Sequence, residues 1–364
     1  MNVDTLLKKE NHLFFRAIGL MSGTSCDGLD ICYCTFRFSE AKWHFEILEA
    51  ETIPYTAFWQ ESLSKANTLS GRDLTLLHKN FGNFSGEMVN SFISKYNLPK
   101  PDYIASHGHT VFHEPHLGLN LQIGDGNCIV AKTRIRTIAD FRSLDIALGG
   151  QGAPLVPIGD KLLFGEYNAC LNLGGIANIS FEHNGQHIAG DISPFNILFN
   201  HYANQLGSPF DDGGKFAESG IVNEELLDKL NQLPFISEPF PKSMGIEKIN
   251  QAYFPILNQY GVTNEDFLVT LSRHFVQTLI NTITQHNIKS LLVTGGGAYN
   301  DFYIESIKAE TSIRVTIPDS KTINFKEALI FGFLGCLKMA NQINVLKSVT
   351  GAKTDSVSGV EYVV

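Results

Sequence analysis

The chain has 364 residues, which exceeds the usual size of one domain and predicts two domains. A hydrophobic content of 43% with 18% charged residues indicates a folded protein with sizeable cores and excludes a disordered chain. The formal net charge of −9 argues against nucleic acids and anionic membranes as partners, although it leaves room for a local basic pocket that binds phosphate.

The cysteines and the hydropathy pattern point to a cytoplasmic protein. The six cysteines are scattered, lie mostly inside apolar runs and show no zinc-type spacing, so we expect buried, reduced thiols. Residues 1–12 are polar and charged, unlike a signal peptide, and no apolar run reaches the length of a membrane span. We therefore expect no membrane attachment.

The first half of the chain reads as three strands followed by a helix. Apolar runs at 13–21, 29–38 and 43–53 predict consecutive strands, and apolar residues at spacings of three and four predict a helix over 73–96. A short buried strand is expected at 102–106. The polar, glycine-bearing segments 107–127 and 139–160 have loop character and surround a further strand–helix–strand region.

The turn between the first two strands has two interpretations. Asp27-Gly28 is a strong hairpin signal, because both residues tolerate positive φ. The preceding Ser22 to Ser25 run supplies hydroxyls and backbone N–H groups that suit an anion, and Asp27 and Asp30 are candidate carboxylates for magnesium. The turn is either a phosphate-binding hairpin or an ordinary solvent turn. It is neither a Walker nor a Rossmann loop.

The strand pattern restarts at Ala169. Runs at 169–173, 176–181 and 187–189 predict three more strands, with turns at 174–175 and at Asn184-Gly185. A helix from about 263 to 283, a strand at 291–294 and an apolar helix at 327–339 follow. The repeated order predicts duplicated α/β domains with a cleft between them. We place the domains at 1–139 and 140–341, with 342–364 a candidate to complete the first.

Two further glycine segments are candidate nucleotide contacts. Gly174-Gly175 separates two predicted strands, and Gly295 to Gly297 follows a strand and precedes a probable helix. Either could let a phosphate, ribose or base approach the backbone closely. Taken singly, the first is more often a plain hairpin turn, and the second is as often a flexible loop.

Two carboxylates are candidates for catalysis. Asp191 is predicted at the end of a strand, where it could take a proton from an attacking oxygen. The alternative, slightly favoured from local pattern, is that Asp191 or Ser193 caps a helix beginning at Pro194. Glu327 opens the apolar helix, where an acid usually complements the helix dipole.

A histidine cluster and one arginine complete the candidates. The cluster comprises His107, His109, His113 and His116, and it favours the polar lining of a ligand pocket over a zinc site. Arg142 could hold an oxygen-rich ligand or form a structural ion pair with Asp140 or Asp145.

Taken together and in this order, the motifs resemble the anhydro-N-acetylmuramic acid kinase family, a branch of the sugar-kinase, chaperone and actin-like ATPases. The resemblance runs from about residue 16 onward, and its most specific stretches are 19–30 and 139–157. The other matching runs are 106–110, 121–125, 172–178, 210–217, 241–247, 293–300 and 327–328.

The resemblance implies two duplicated actin-like, ribonuclease H-like ATPase domains and a coupled reaction. Water would open the 1,6-anhydro ring of anhydro-N-acetylmuramic acid while O6 accepts the γ-phosphoryl of ATP. The product would be N-acetylmuramic acid 6-phosphate, in peptidoglycan recycling. It also implies ATP with Mg²⁺ and a homodimer.

The resemblance assigns roles residue by residue. Asp191 matches the general base that activates the water, Arg142 and Glu327 match residues at the sugar and that water, and His107 and Thr110 would lie along the sugar pocket. The residues implied in ATP binding are Gly23, Thr24, Ser25, Cys26, Asp27, Gly28, Leu29, Asp30, Gly174, Gly175, Gly295, Gly296 and Gly297.

Four positions depart from the family pattern: Ile192, Ser193 and Phe195 around the base, and His109. The family carries Asp-Thr-Gly-Pro-Gly-Asn around its base, whereas this chain has Asp191-Ile-Ser-Pro-Phe-Asn196, and His109 stands where glutamine is common. Phe195 is therefore expected beside the active site, where it would reshape the sugar pocket. Two alternatives follow: a nucleotide-binding sensor whose catalysis Phe195 blocks, or a kinase for a different amino sugar.

Overall fold

A computed structural model describes residues 13–364, so the polar segment 1–12 lies outside the described residues. The chain forms two compact units, residues 13–163 with 325–364 and residues 164–324. These boundaries differ from the expected ones at 139/140 and 341/342, because segments 140–163 and 325–341 pack with the first unit. No helix in the described range is long and apolar enough to cross a membrane.

The first unit begins with a three-stranded meander and ends with a return of the chain from the second unit. Its elements are β1 (Leu13–Ser22), β2 (Gly28–Ser39), β3 (Lys42–Pro54), α1 (Ala57–Ser64), α2 (Gly71–Lys95), β4 (Tyr103–Glu114), β5 (Leu119–Ile123), α3 (Gly126–Thr133), β6 (Thr137–Ala139), α4 (Ser143–Ala147) and α5 (Pro157–Leu163).

The second unit repeats the meander and then becomes largely helical. Its elements are β7 (Ala169–Leu173), β8 (Ile176–His183), β9 (Gln186–Pro194), α6 (Asn196–Gln205), α7 (Lys215–Ser219), α8 (Glu224–Asn231), α9 (Pro234–Ser237), α10 (Ile246–Ala252), α11 (Phe254–Leu257), α12 (Asn264–Gln285), β10 (Ser290–Thr294), α13 (Asp301–Glu310) and β11 (Arg314–Thr316). The chain then continues through α14 (Ser320–Met339), α15 (Lys347–Thr350) and β12 (Val360–Tyr362).

The two sheets share one topology. In the first unit the order is β12-β6-β4-β1-β2-β3, with β5 paired to β4, and in the second it is β11-β10-β7-β8-β9. In each sheet an antiparallel meander is joined by a strand parallel to its first member, β4 beside β1 and β10 beside β7. A further parallel strand, β6 or β11, follows. The predicted duplicated α/β fold is confirmed.

Most predicted elements are confirmed within two residues, but β4 and β9 are longer than expected. Strand β4 continues through residues 107–114, where the polar sequence suggested a loop. The turn at Asn184-Gly185 is confirmed, since both residues have positive φ. α14 begins seven residues before Glu327, at Ser320, so Glu327 is not in its first turn and the interpretation as a dipole complement is wrong.

Segment 140–163 belongs to the first unit because buried hydrogen bonds join it to the C-terminal residues. The carboxylate of Asp145 accepts from the Thr350 hydroxyl at 2.7 Å and from the Gly152 N–H at 2.8 Å. The N–H of Gln151 donates to the Thr350 carbonyl at 2.8 Å. Because Asp145 is fully buried, these bonds fix the loop that follows Arg142.

Helix α14 packs directly on the sheet through positions without side chains. The Cα of Gly19 in β1 lies where an added Cβ would overlap the Ala328 carbonyl, and Gly332 lies one turn further along the helix. The Tyr103 hydroxyl in β4 donates to the Gly332 carbonyl at 2.9 Å. This close approach places Glu327 beside the end of β1.

We expect Gly19→Ala to lower the free energy of unfolding by about 1–3 kcal/mol, because overpacking against backbone cannot be relieved by a rotamer change. Urea unfolding followed by circular dichroism measures this. Gly71→Ala is the matched control, since a Cβ there meets nothing within 4 Å. Equal stability of Gly19→Ala and wild type would contradict the packing described.

Candidate active site

The β1–β2 hairpin turns earlier than predicted. Cys26, not Asp27, has positive φ, at 57°, and its N–H donates to the Gly23 carbonyl at 3.2 Å. Gly28 is already in β2, where an added Cβ would lie 2.6 Å from the Ile53 carbonyl oxygen. The hairpin itself is present, but the predicted position of its turn at Asp27-Gly28 is wrong, because the chain turns at residues 24–26. The exposed loop is formed by Thr24, Ser25 and Asp27.

Beneath this loop a buried hydrogen-bond chain links three strands or their ends. The Tyr55 hydroxyl donates to Ser22 Oγ at 2.7 Å, and Ser22 Oγ lies 2.9 Å from His109 Nδ1. Since the serine hydroxyl already accepts from Tyr55, it donates to His109, and the histidine proton is on Nε2. Burial lowers the pKa of His109 to about 4, so the ring is neutral.

His107 and Arg142 form a single bonded group. Nε and Nη2 of Arg142 lie 3.2 and 2.9 Å from His107 Nε2, and Nη1 donates to the Gly152 carbonyl at 2.6 Å. His107 Nδ1 is 2.9 Å from the Gly108 carbonyl, which fixes the proton on that nitrogen. Burial, and then the charge of Arg142, lowers the pKa of His107 well below its ordinary value.

The acids suggested as partners of Arg142 bond elsewhere. Asp145 bonds to Thr350 and Gly152, and Asp140 accepts from the Ser143 N–H at 3.2 Å. The ion-pair interpretation of Arg142 is therefore wrong. Burial lowers the pKa of Arg142 to about 10, while the charge of Glu327 raises it. Its bonds to His107 and Gly152 use three of five N–H donors, which leaves two for a ligand.

Glu327 and Asp30 are carboxylates of the first unit. Burial raises the pKa of Glu327, the negative charge of Asp30 adds to the rise, and Arg142 acts against it. Protein atoms surround the carboxyl group of Glu327 closely enough to desolvate it, but the residue still has an exposed face. Burial also raises the pKa of Asp30, against the hydrogen bond from the Thr52 hydroxyl at 2.5 Å. Two such carboxylates suit Mg²⁺, which takes one or two carboxylates together with substrate phosphates.

Thr110 lies on β4, within a polar group that reaches across to β5. Gln122 donates to the Thr110 hydroxyl at 3.2 Å and to Asn120 at 3.0 Å, and His113 Nδ1 is 3.3 Å from Asn120. His116 lies apart in the short 3₁₀ helix Pro115–Leu117. Among residues 13–364, no three histidine, cysteine or acidic side chains are grouped as metal ligands. His107 and His109 are buried in β4, and the lining of a ligand pocket by this cluster stays a prediction.

In the second unit, Asp191 lies in strand β9 rather than at a helix end. Its Oδ2 accepts from the Met244 N–H at 2.7 Å and from the Ser243 hydroxyl at 3.4 Å. Burial raises the pKa of Asp191, while Met244, Ser243 and Lys242 lower it. In the described range no hydrogen bond to Oδ1 is formed, so one oxygen is left for a ligand.

The favoured helix-cap interpretation of this segment is wrong. α6 begins at Asn196, its N-cap residue is Phe195, and no side chain bonds to the cap. Pro194 still belongs to β9, and Ser193 is buried without a bond from its hydroxyl. The serine–proline signal therefore belongs to the end of a strand, and Asp191 keeps its carboxylate free of any capping role.

Phe195 points into the hydrophobic core. Its ring is fully buried and packs against Phe199 and Tyr303 at 4.8 Å and Phe275 at 5.6 Å between centroids. An added Cβ at Gly297 would overlap the Phe195 ring. The expectation that Phe195 reshapes a pocket beside Asp191 is therefore wrong, because its side chain fills space that Gly297 leaves.

The two glycine segments of the second unit come together. Thr294 is paired with Asn172, and an added Cβ at Gly295, where φ is 82°, would lie 2.7 Å from Asn172 Oδ1. The carbonyls of Gly174 and Gly175 accept backbone N–H groups at the start of α6. Added Cβ atoms at Gly295 and Gly297 would overlap neighbouring atoms, so glycine is required there, whereas at Gly174 and Gly175 they would lie 3.2 Å or more from any neighbour. Gly296 starts the 3₁₀ helix Gly296–Tyr299.

Because His109 is neutral in the folded protein, the free energy of unfolding should fall at acidic pH. Because its pKa of about 4 lies below the unfolded value, protons bind preferentially to the unfolded chain as the pH falls below about 6.5. We expect the free energy of unfolding to fall by about 2 kcal/mol from this group between pH 7 and pH 5. Urea unfolding of wild type and His109→Gln at both pH values measures it. Parallel losses in the two proteins would refute the assignment.

Sequence reasoning missed several contributors. Ser22 and Tyr55 were not linked to His109, and the contacts of Asp191 with Ser243 and Met244 were not foreseen. The separations along the chain explain this, since Asp191 and Met244 are 53 residues apart. The run at 241–247 was a signal only through family resemblance.

The repeated sheets, with glycine segments at the ends of β1, β7 and β10, define the duplicated α/β fold of actin-like ATPases, the class to which ATP-dependent sugar kinases belong. The family model described as anhydro-N-acetylmuramic acid kinase matches residues 15–364. The chain therefore belongs to the anhydro-N-acetylmuramic acid kinase family.

Curated relatives agree over nearly the whole length. The anhydro-N-acetylmuramic acid kinase of Hydrogenovibrio crunogenus is 35% identical, over 94% of this chain and 96% of its own. The anhydro-N-acetylmuramic acid kinase of Shewanella denitrificans is 36% identical, over 95% of this chain and 97% of its own. Among solved structures, component A of the (R)-2-hydroxyglutaryl-CoA dehydratase of Acidaminococcus fermentans has a TM-score of 0.43 at 11% identity, covering 90% of this chain and 100% of that one.

Proposed function

We propose that this chain opens the 1,6-anhydro ring of anhydro-N-acetylmuramic acid with water and phosphorylates O6 from ATP, as a step of peptidoglycan recycling. Water adds to C1, the C1–O6 bond breaks, O6 takes the γ-phosphoryl group and ADP leaves. The products are N-acetylmuramic acid 6-phosphate and ADP. The observation that carries the proposal is the carboxylate of Asp191.

Asp191 is assigned the general base. A base needs a free oxygen and a pKa above that of an ordinary carboxylate but low enough to stay ionised. Burial raises the pKa of Asp191, and the Met244 and Ser243 bonds hold Oδ2, so Oδ1 can accept the proton of the attacking water. The proton therefore moves from water to Asp191 as the bond to C1 forms.

Arg142 and Glu327 are assigned to the sugar. The neutral His107 and the Gly152 carbonyl hold the guanidinium from one side, so its two remaining N–H donors have a fixed direction. Glu327, accessible and with a raised pKa, is a second acceptor for the sugar or the water. His107 and Thr110 then line the sugar position on β4.

ATP is assigned to the glycine segments and to the β1–β2 loop. The exposed hydroxyls of Thr24 and Ser25, with the backbone from Gly23 to Asp30, suit the phosphates. Gly174, Gly175 and Gly295 to Gly297 suit close approach of the nucleotide. Asp30 or Asp27 would hold the Mg²⁺ that accompanies ATP; when bound, the ion would neutralise charge on the transferred phosphoryl group.

The resemblance also motivates a homodimer in the cytoplasm, with ATP and the sugar as its small-molecule partners and neither nucleic acid nor a membrane as a ligand. Size-exclusion chromatography with light scattering tests the oligomeric state. A single species of about 80 kDa, twice the 40.3 kDa of the chain, is the expected result, and a 40 kDa species would refute the dimer.

ADP release tests the proposed function. With Mg-ATP, we expect ADP to form only when anhydro-N-acetylmuramic acid is added. The anhydro sugar without its lactyl group serves as the comparison for specificity. ADP release that is independent of either sugar, from protein that binds ATP, would overturn the proposal. The sensor alternative depended on Phe195 blocking catalysis at the active site. Because Phe195 lies in the core, nothing supports that alternative any longer.

A further inference from the structure

Lys242 is a buried cation that the proposed reaction does not yet use. Its side chain is 8% exposed, and within the described range no carboxylate lies at ion-pair distance from it. Nζ donates instead to the carbonyls of Phe235 and Ile236, at 2.9 and 3.1 Å. The rings of Phe235 and Phe240 lie 4.6 and 5.3 Å from Nζ. A buried charge is costly, and these carbonyls and rings offset part of the cost and hold the ammonium group in one place.

The backbone around Lys242 is bonded to Asp191. The Lys242 carbonyl accepts the N–H of Asp191 at 2.9 Å, and the next two residues, Ser243 and Met244, bond to its carboxylate. Gly190 permits this approach, because an added Cβ there would lie 2.8 Å from the Lys242 carbonyl oxygen. The anchored lysine thus holds the segment that orients the carboxylate.

We propose that Lys242 is a positioning residue for the reaction: its anchored side chain sets the place of Ser243 and Met244 on Asp191, and it brings a positive charge into the segment that is hydrogen-bonded to that carboxylate. The inference rests on the proposed function only in taking Asp191 as the base. The effect of Lys242 on the pKa of Asp191 can be measured whether or not the protein catalyses the proposed reaction.

The charged groups that face this pair are few. Lys242 and Lys248 both lower the pKa of Asp191, and Glu238 and Asp191 raise that of Lys242 against the larger effect of burial. Lys248 is more exposed, donates to the Ser243 carbonyl at 2.9 Å and lies 3.9 Å from Glu238. Glu238 acts on both lysines, but solvent screens the more exposed Lys248, so Lys242 exerts the stronger field on Asp191.

The direct test is the titration of Asp191 in the full, ligand-free protein. Aspartate carboxyl carbons are labelled with ¹³C, and the Asp191 signal is identified by its loss in Asp191→Asn. Removing the cation in Lys242→Met should raise the measured pKa of Asp191 by about 0.5–1 unit. Lys248→Met, the matched control, should raise it less, and Lys242→Arg should restore most of the wild-type value.

Kinetics supply the second readout. A raised pKa leaves the base protonated up to a higher pH. On the acidic side of the pH profile of kcat/KM (the acid limb), the midpoint should therefore shift to higher pH by the same amount in Lys242→Met. At a pH one unit below the limb this costs about 3- to 10-fold in rate. A purely structural lysine would lower stability without moving the limb.

The outcomes separate the two claims. An unchanged Asp191 pKa in folded Lys242→Met would overturn the role of Lys242. A shifted pKa with an unmoved acid limb would support Lys242 and overturn Asp191 as the base. If Lys242→Met does not fold, salt decides in the wild type: a buried cation predicts that the Asp191 pKa changes by less than about 0.3 between 0.05 and 1 M NaCl. A larger change would overturn the inference.

Discussion

Asp191→Asn should reduce sugar-dependent ADP release by about 10²- to 10⁴-fold, the contribution usual for a positioned general base. The amide keeps the shape of the side chain, and its oxygen can still accept the Met244 N–H, but it cannot take a proton from water. ATP binding, followed by the fluorescence of a nucleotide analogue, should be nearly unchanged. The loss therefore appears in kcat rather than in nucleotide affinity.

Asp228→Asn is the matched control, since this exposed acid lies on α8, in the same unit. It should retain wild-type turnover within about two-fold. Turnover by Asp191→Asn within ten-fold of wild type, in protein with unchanged circular dichroism, would remove Asp191 from the role of base. Glu327 would then be the next carboxylate to substitute.

Phe195→Ala should lower the free energy of unfolding by about 3–5 kcal/mol, the usual loss for a buried phenylalanine. The ring is fully buried and touches three other aromatic rings, so truncation leaves a cavity in the core of the second unit. Urea unfolding measures the loss. Phe210→Ala, in the same unit but 54% exposed, should cost under about 1 kcal/mol.

Specificity separates a core residue from a pocket residue. In the milder variant Phe195→Leu, the ratio of kcat/KM between the lactyl-bearing sugar and the sugar without it should remain as in wild type. A change of ten-fold or more in this kcat/KM ratio would show that Phe195 lies at the sugar-binding site. A loss of stability below about 1 kcal/mol in Phe195→Ala would equally contradict its burial.

The sheets were predictable because their strands follow local rules. Apolar runs bounded by glycine and polar turns placed β1, β2, β3 and β7 within about a residue, and the repeat revealed the duplicated fold. The hydrophobic pattern predicts only the first part of β4, because the strand carries polar residues from His107 onward, among them His109. A strand that presents polar side chains breaks the hydrophobic pattern.

The contacts of the site were not predictable, because they join distant parts of the chain. Arg142 meets His107 across 35 residues, whereas the sequence favoured nearby acids as its partners. Asp191 resembled a helix cap because an acid, a serine and a proline give the same local signal at a strand end. Phe195 was judged by its neighbours in sequence, whereas its side chain packs on residues up to 108 positions away.

Reaction in H₂¹⁸O tests the coupled reaction most directly. With Mg-ATP, anhydro-N-acetylmuramic acid and promptly quenched samples, mass spectrometry should show one product that has gained one water and one phosphoryl group. The ¹⁸O should be at C1, and one ADP should form per product. A phosphorylated sugar that keeps its anhydro ring, or ADP formed without a labelled sugar phosphate, would contradict the coupled ring opening and phosphorylation.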